Sequence, residues 1–194
     1  DFFRGLTSFR PVDFRVRVTP VLNGTYLGVR ETGAVNIDVR ERHTRLDYQV
    51  AGIQEAFVEA RIKAVSPKFD FVSVRAGTQA FNSDFRGFIF FDNEPGVRLF
   101  GNLQSNRIQY NAAYFAMMEK DTNSGLNMLE RRHQDVMIAN VYIQDFIKLG
   151  YTTQFSVHYD RDKPSFHIDK NGFLARPAPM GSVVPKAVNA IYLG

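Results

Sequence analysis

Apolar and polar residues alternate along most of this chain. Val12, Phe14, Val16 and Val18 occupy every second position, with Asp13, Arg15, Arg17 and Thr19 between them. At period two, side chains point to opposite faces of an extended backbone, so the segment predicts a β-strand with one apolar and one charged face. The pattern returns in residues 69–79, where Val72, Val74 and Ala76 oppose Ser73, Arg75 and Gly77. In residues 96–103, Val97, Leu99 and Leu103 oppose Arg98 and Asn102. Residues 107–118 set Ile108, Tyr110, Ala112, Tyr114, Ala116 and Met118 against Gln109 and Asn111. Residues 151–159 set Tyr151, Thr153, Phe155, Val157 and Tyr159 against Thr152, Gln154, Ser156 and His158. Residues 136–146 are more uniformly apolar, and 187–193 begin a further strand.

Residues 46–65 admit two readings. Ala56, Val58, Ala60, Ile62 and Ala64 alternate with Glu55, Phe57, Glu59, Arg61 and Lys63, which predicts a strand. Ile53, Ala56, Phe57, Ala60 and Ala64 also share one helical face, and these residue types favour helix. The alternation is unbroken and runs into Ser66-Pro67-Lys68, so a strand is expected, paired with 69–79 across that turn. The whole chain then holds about eight strands in one domain, 1–194.

The connections have a two-beat rhythm. Short turns at Ser66-Pro67-Lys68, Gln104-Ser105-Asn106 and Lys148-Leu149-Gly150 take turns with long polar loops at about 30–44, 81–95, 120–134 and 161–186. Strands joined by short turns at one end and long loops at the other predict an all-β, antiparallel up-and-down barrel or part of one. The rival is a soluble antiparallel sandwich or small barrel acting as a binding module, with charged faces in water and apolar faces packed together. Asn23-Gly24-Thr25 reads as a turn, and Asn171-Gly172 as the turn of a hairpin between His167-Ile168 and Phe173-Leu174. The run Phe88-Ile89-Phe90-Phe91 falls in a predicted loop; it is a buried strand segment, a loop that folds inward or a docking patch for a partner.

Composition narrows the class. There is no cysteine, which removes disulfides and thiolate chemistry. No run of about 18 apolar residues offers a transmembrane helix. Phe and Tyr supply all of the 13% aromatic content, a level natural to a barrel with aromatic girdles. Net charge is +4, with 17 Arg against 7 Lys. An arginine excess fits guanidinium groups fixed in polar networks or lining a polar lumen; compositional bias is the plainer reading. The arginines are dispersed among Asp and Glu, so no nucleic acid partner is expected.

Two segments look like barrel strands that end at a glycine-marked boundary. They are Val72-Ser73-Val74-Arg75-Ala76-Gly77-Thr78-Gln79 and Gly96-Val97-Arg98-Leu99-Phe100-Gly101. Through them the chain resembles bacterial porin-like outer-membrane barrels, at the level of pattern and over most of its length. The resemblance implies a transmembrane β-barrel of the outer membrane of the bacterial cell envelope. Its partner would be outer-membrane lipid. Its role would be a passive channel for small polar or anionic solutes, or a structural component. Such barrels commonly finish on a strand with a terminal aromatic residue. This chain stops at Ile191-Tyr192-Leu193-Gly194, so the expectation is a barrel fragment completed by remaining strands, a partner chain or self-association.

Candidate chemistry is sparse. Arg15, Arg17, Arg75, Arg98 and Arg107 are the candidate lumen-facing residues; their structural role would be salt bridges to Asp13, Asp47, Glu55 and Glu59. His158 and His167 lie near Asp160, Asp162 and Asp169, but no spacing matches a metal-ligand pattern, and His43 and His133 stand alone. Asp169-Lys170-Asn171-Gly172 lacks the later acidic positions of a calcium loop. Asp92-Asn93-Glu94-Pro95 reads as a solvated turn and not as an acid–base pair. No nucleophile elbow or phosphate loop occurs, so neither an enzyme nor a cofactor is expected.

Overall fold

The computed structural model describes residues 1–5, 12–28, 45–121, 124–168, 174–176 and 187–194, with the backbone alone at 25, 27–28, 45–50 and 174–176. The expected loop 30–44, His43, the Asp47 side chain and the Asp169–Gly172 turn lie outside the described residues. The strands are β1 (Phe2–Arg4), β2 (Phe14–Gly28), β3 (Arg45–Ala64), β4 (Phe71–Asn82), β5 (Phe91–Leu103) and β6 (Ile108–Lys120). They continue with β7 (Asn127–Gln144), β8 (Thr152–Asp162), β9 (His167–Ile168), β10 (Leu174–Arg176) and β11 (Val188–Leu193). One nine-stranded sheet runs β1-β2-β3-β4-β5-β6-β7-β8-β11, each neighbour antiparallel. β9 and β10 pair antiparallel in a separate two-stranded sheet. No helix among the described residues is long and apolar enough to cross a membrane, which says nothing of crossing by strands.

Residues 46–65 are extended, as the alternation predicts. β3 pairs along both edges, with Glu59 opposite Arg15 in β2 and Arg75 in β4. Ladder bonds on two sides outweigh the helical preference of its alanines and glutamates. Several expectations need correction. The sheet has nine strands, not eight, because Phe2–Arg4 adds to β2. It is all-β, antiparallel and up-and-down, as expected of a barrel or part of one, but the sheet is open: among the described residues β1 and β11 end it without pairing to each other. Asn23-Gly24-Thr25 is not a turn. It lies within β2 opposite Val50, Gln49 and Tyr48, because β3 continues beside it. The loop at 81–95 shrinks to residues 83–90, and the loop at 120–134 to 121–126. Asp92-Asn93-Glu94-Pro95 belongs to β5. Proline is tolerated there because β5 pairs with β6 only from Gly96 onward, so Pro95 owes that side no N–H.

The short turns cluster at one end. Residues Gln104, Ser105 and Asn106 all take positive φ, of 55, 58 and 68°. Asp70 ties this turn to its neighbour. Its Oδ2 accepts from Ser66 Oγ at 2.8 Å in the β3–β4 turn, and its Oδ1 accepts from Ser105 N at 2.9 Å in the β5–β6 turn.

Strict alternation gives the sheet two unlike faces. One cross-strand row reads Phe14, Ala60, Val74, Leu99, Ala112, Ala139, Val157, Leu193. The row beside it reads Val16, Val58, Ala76, Val97, Tyr114, Met137, Tyr159, Ile191. Every member of both is apolar or tyrosine, yet the face is open: Val97, Met137, Phe155 and Val157 each keep half of their surface. We call this the outer face. The opposite, inner face carries the buried residues, many of them polar: Glu59, Ser73, Gln79, Glu94, Asn140, Ser156 and His158. Its apolar core is Phe81, Ala113, Phe115, Met117, Val136 and Ile138. Two glycines, Gly77 and Gly96, face each other in the inner row, flanked by Phe57 and Phe115. A Cβ on Gly77 would stand 2.2 Å from the Ala56 carbonyl, and its φ is +121°. The missing side chains let the phenyl rings lie close against the sheet and let it bend.

Candidate functional site

The inner face is the candidate site. One of its rows reads Arg15, Glu59, Arg75, Arg98, then Ala113, Ile138, His158 and Tyr192. Cations and a carboxylate therefore alternate over the first three strands, and two arginines meet at β4–β5. Arg75 donates from Nε at 2.9 Å and Nη2 at 2.5 Å to Oε2 of the buried Glu59. Its guanidinium lies 4.3 Å from the Phe57 ring centroid. Arg98 has no carboxylate partner among the described residues. It donates from Nε to Asn111 Oδ1 at 2.7 Å and stacks 4.5 Å from Phe100 and 4.9 Å from Phe81. Like charges directly opposite repel, and among the described residues Glu59 is the one carboxylate paired with either, so one positive charge of the two has no carboxylate there. Arg17 reaches Glu55 at 3.3 Å and Asp1 at 3.0 Å; Arg15 reaches Asp1 at 2.5 Å. Arg61 pairs with Asp13.

Of the five candidate arginines, the structure brings four onto one face: Arg15, Arg17, Arg75 and Arg98. Arg107 is elsewhere. It sits exposed in the β5–β6 turn, donating to the carbonyls of Gln144 at 3.2 Å and Asp145 at 3.1 Å.

Residues 83–90 fold back over the inner face of β7 and β8. The Ser83 carbonyl accepts from Asn140 Nδ2 at 2.8 Å, Tyr142 OH at 3.1 Å and Gln154 Nε2 at 2.6 Å. Asn140 in turn accepts from Asn111 at 2.8 Å, so an amide relay joins the loop to Arg98. Phe90 stacks on Phe115 with centroids 5.4 Å apart, while Phe88 is exposed and Phe91 already belongs to β5. The loop is shaped from within by Asp84, whose carboxylate accepts from the N–H groups of Arg86, Phe88 and Ile89 at 3.0, 3.1 and 3.0 Å. Burial raises the Asp84 carboxyl, but these N–H groups outweigh it and hold the pKa at about 2, below the ordinary 3.8.

A second polar cluster stands at the loop end. Lys120 Nζ lies 2.7 Å from Asp92 and 3.0 Å from Glu94, and also donates to Asn127. Glu94 is fully buried and accepts from Met118 N at 2.9 Å, so its carboxylate satisfies an N–H where β5 and β6 have stopped pairing. Sequence reasoning missed this cluster because Pro95 reads as a turn. The signal present was Phe91, Asn93 and Pro95 alternating with Asp92, Glu94 and Gly96. The relay of Asn111 and Asn140 was also missed, since isolated amides on separate strands carry no spacing signal.

The histidines do not converge. His158 is buried on the inner face between Ile138 and Tyr192. His167 lies 3.7 Å from Glu130, and Asp160 accepts from Gln134 at 2.8 Å. His133 is exposed in β7. Among the described residues no three acidic or histidine side chains group as a metal site.

No protein family, curated protein or solved structure matches this chain.

Proposed function

We propose that this chain is a wall of a transmembrane β-barrel of the bacterial outer membrane, a porin-like passive channel for small polar or anionic solutes. One observation carries the reading: the sheet is inside out. Two apolar rows cross eight strands on the open face, and the buried face holds the charges. A soluble sandwich packs its apolar face against a second sheet. Here no second layer covers that face among the described residues. Lipid is the solvent that matches it, and strands β2 to β8 have 11 to 20 residues, enough to span the apolar core at about 9–11 residues each. Backbone groups at the open edges of β2 and β11 need partners in lipid, so further strands, a partner chain or self-association completes the cylinder. The unpaired charge of the Arg75–Arg98 pair favours anions.

The reading is tested in two steps. Extraction from membranes should require detergent; full solubility without it would favour the soluble binding module. In planar bilayers under a salt gradient, the reversal potential should report anion preference. Arg98→Gln should abolish most of it, and Arg107→Gln should leave it unchanged. Equal effects of the two substitutions would count against the lumen reading.

A further inference from the structure

A cleft of about 320 Å³ opens beside the loop-end cluster, lined by Gln54, Phe91, Asp92, Asn93, Lys120 and Asn127 together with a few apolar neighbours. It joins three strands that are not all neighbours in the sheet: Asn127 Nδ2 donates to the Asn93 carbonyl, and Asn93 Nδ2 donates to the Gln54 carbonyl at 3.4 Å. Its volume is at the small end of ligand pockets, which run from about 300 to 1,000 Å³.

The charges at this cleft decide what fits. Lys120 is the cation; it donates to Asp92 and Asn127 and is ion-paired with Glu94 at 3.0 Å, so its charge is already engaged by two carboxylates. Nothing cationic is left over for an anion. Asp92 offsets Lys120, and the full burial of Glu94 works against its charged form, so the cluster carries little net charge, unlike the Arg75–Arg98 pair. What remains at the cleft is hydrogen-bonding capacity without a free cation: the second oxygen of Asp92, the Asn93 side-chain carbonyl and the Gln54 amide. The Phe91 ring, 71% exposed, provides an apolar wall next to them. Carboxylate and carbonyl oxygens accept from hydroxyls, an amide both donates and accepts, and a phenyl face covers C–H groups.

We propose that this cleft binds a neutral polyhydroxylated ligand of one or two sugar rings. Glu94 is too deeply buried to reach it. Glu94 is a positioning residue that fixes Lys120, and Lys120 in turn holds Asp92 and Asn127 at the cleft wall. The site stands on this geometry and does not depend on the membrane reading.

Calorimetric titration of the whole chain in a zwitterionic detergent without sugar head groups tests it, with glucose and maltose as probes. Glucuronate and glucosamine are the charged counterparts. Maltose should bind, and glucuronate should not. Asp92→Asn and Phe91→Ala should each weaken maltose by about tenfold or more. Both positions tolerate the change: asparagine still accepts from Lys120, and Phe91 is largely exposed. Arg98→Gln should bind maltose like the parent chain. The proposal is overturned if neither neutral sugar binds, if glucuronate or glucosamine binds more tightly than the neutral sugars, or if binding survives both cleft substitutions.

Discussion

Single carboxylates set much of the local order in this chain. Asp84 is the clearest case, because three N–H groups close the 83–90 loop on it. Its pKa is depressed from 3.8 to about 2, so it stabilises the closed loop fully above about pH 4. That stabilisation fades as pH falls through the folded value, over about pH 4 to 2, when the protonated acid loses its acceptor strength. Proteolytic cutting within 83–90 should therefore rise on acidification in that window. Asp84→Asn should cut readily at pH 7 and show no such dependence. A wild-type loop that stays resistant at pH 2 would remove Asp84 from this role. Glu59 acts differently, since it neutralises one guanidinium of two facing ones. Removing one partner of a buried pair costs about 3–5 kcal/mol, so Glu59→Gln should lower thermal stability more than Arg107→Gln does.

At the scale of elements, alternation was the legible part. Each strand read from period two is present, and the faces divide as the sequence divides them. The boundaries were less legible where the backbone partner decided them. β2 runs through Asn23-Gly24 because β3 lies alongside, and β5 starts at Phe91 despite Pro95 because that stretch has no β6 neighbour. No local residue records which strands will sit beside it. The site was half legible for the same reason: the arginines announce a charged face, while the Lys120 cluster and the Asn111–Asn140 relay exist only once strands are in register. The division of faces makes a direct prediction. Phe155→Arg and Met137→Arg, on the open apolar face, should each cost about 2–4 kcal/mol in lipid if the sites lie near the midplane. Thr152→Arg, an exposed position in the same β8, should cost far less. Urea unfolding in liposomes measures this, and equal tolerance at all three positions would argue against lipid contact.

For the molecule as a whole, the open sheet is the governing fact. Among the described residues, β11 and the stretch of β2 that the short β1 does not cover leave ladder edges without partners in the sheet, and exposed edges are templates for pairing. The purified chain in detergent should therefore associate, or need added strands, before it conducts. Light scattering should find species larger than a monomer, and bilayer recordings of a monomer fraction should lack uniform unitary steps. A heat-stable monomer with a single conductance level would mean that the chain closes on itself. The Asp70 clip between the two neighbouring turns bears on how such a sheet is put together. The bond to Ser66 lies within the β3–β4 turn, whereas Ser105 N in the β5–β6 turn must borrow its acceptor from that neighbour. The first hairpin can therefore form alone and then serve as the template on which the second is finished, an order that runs from β3–β4 to β5–β6.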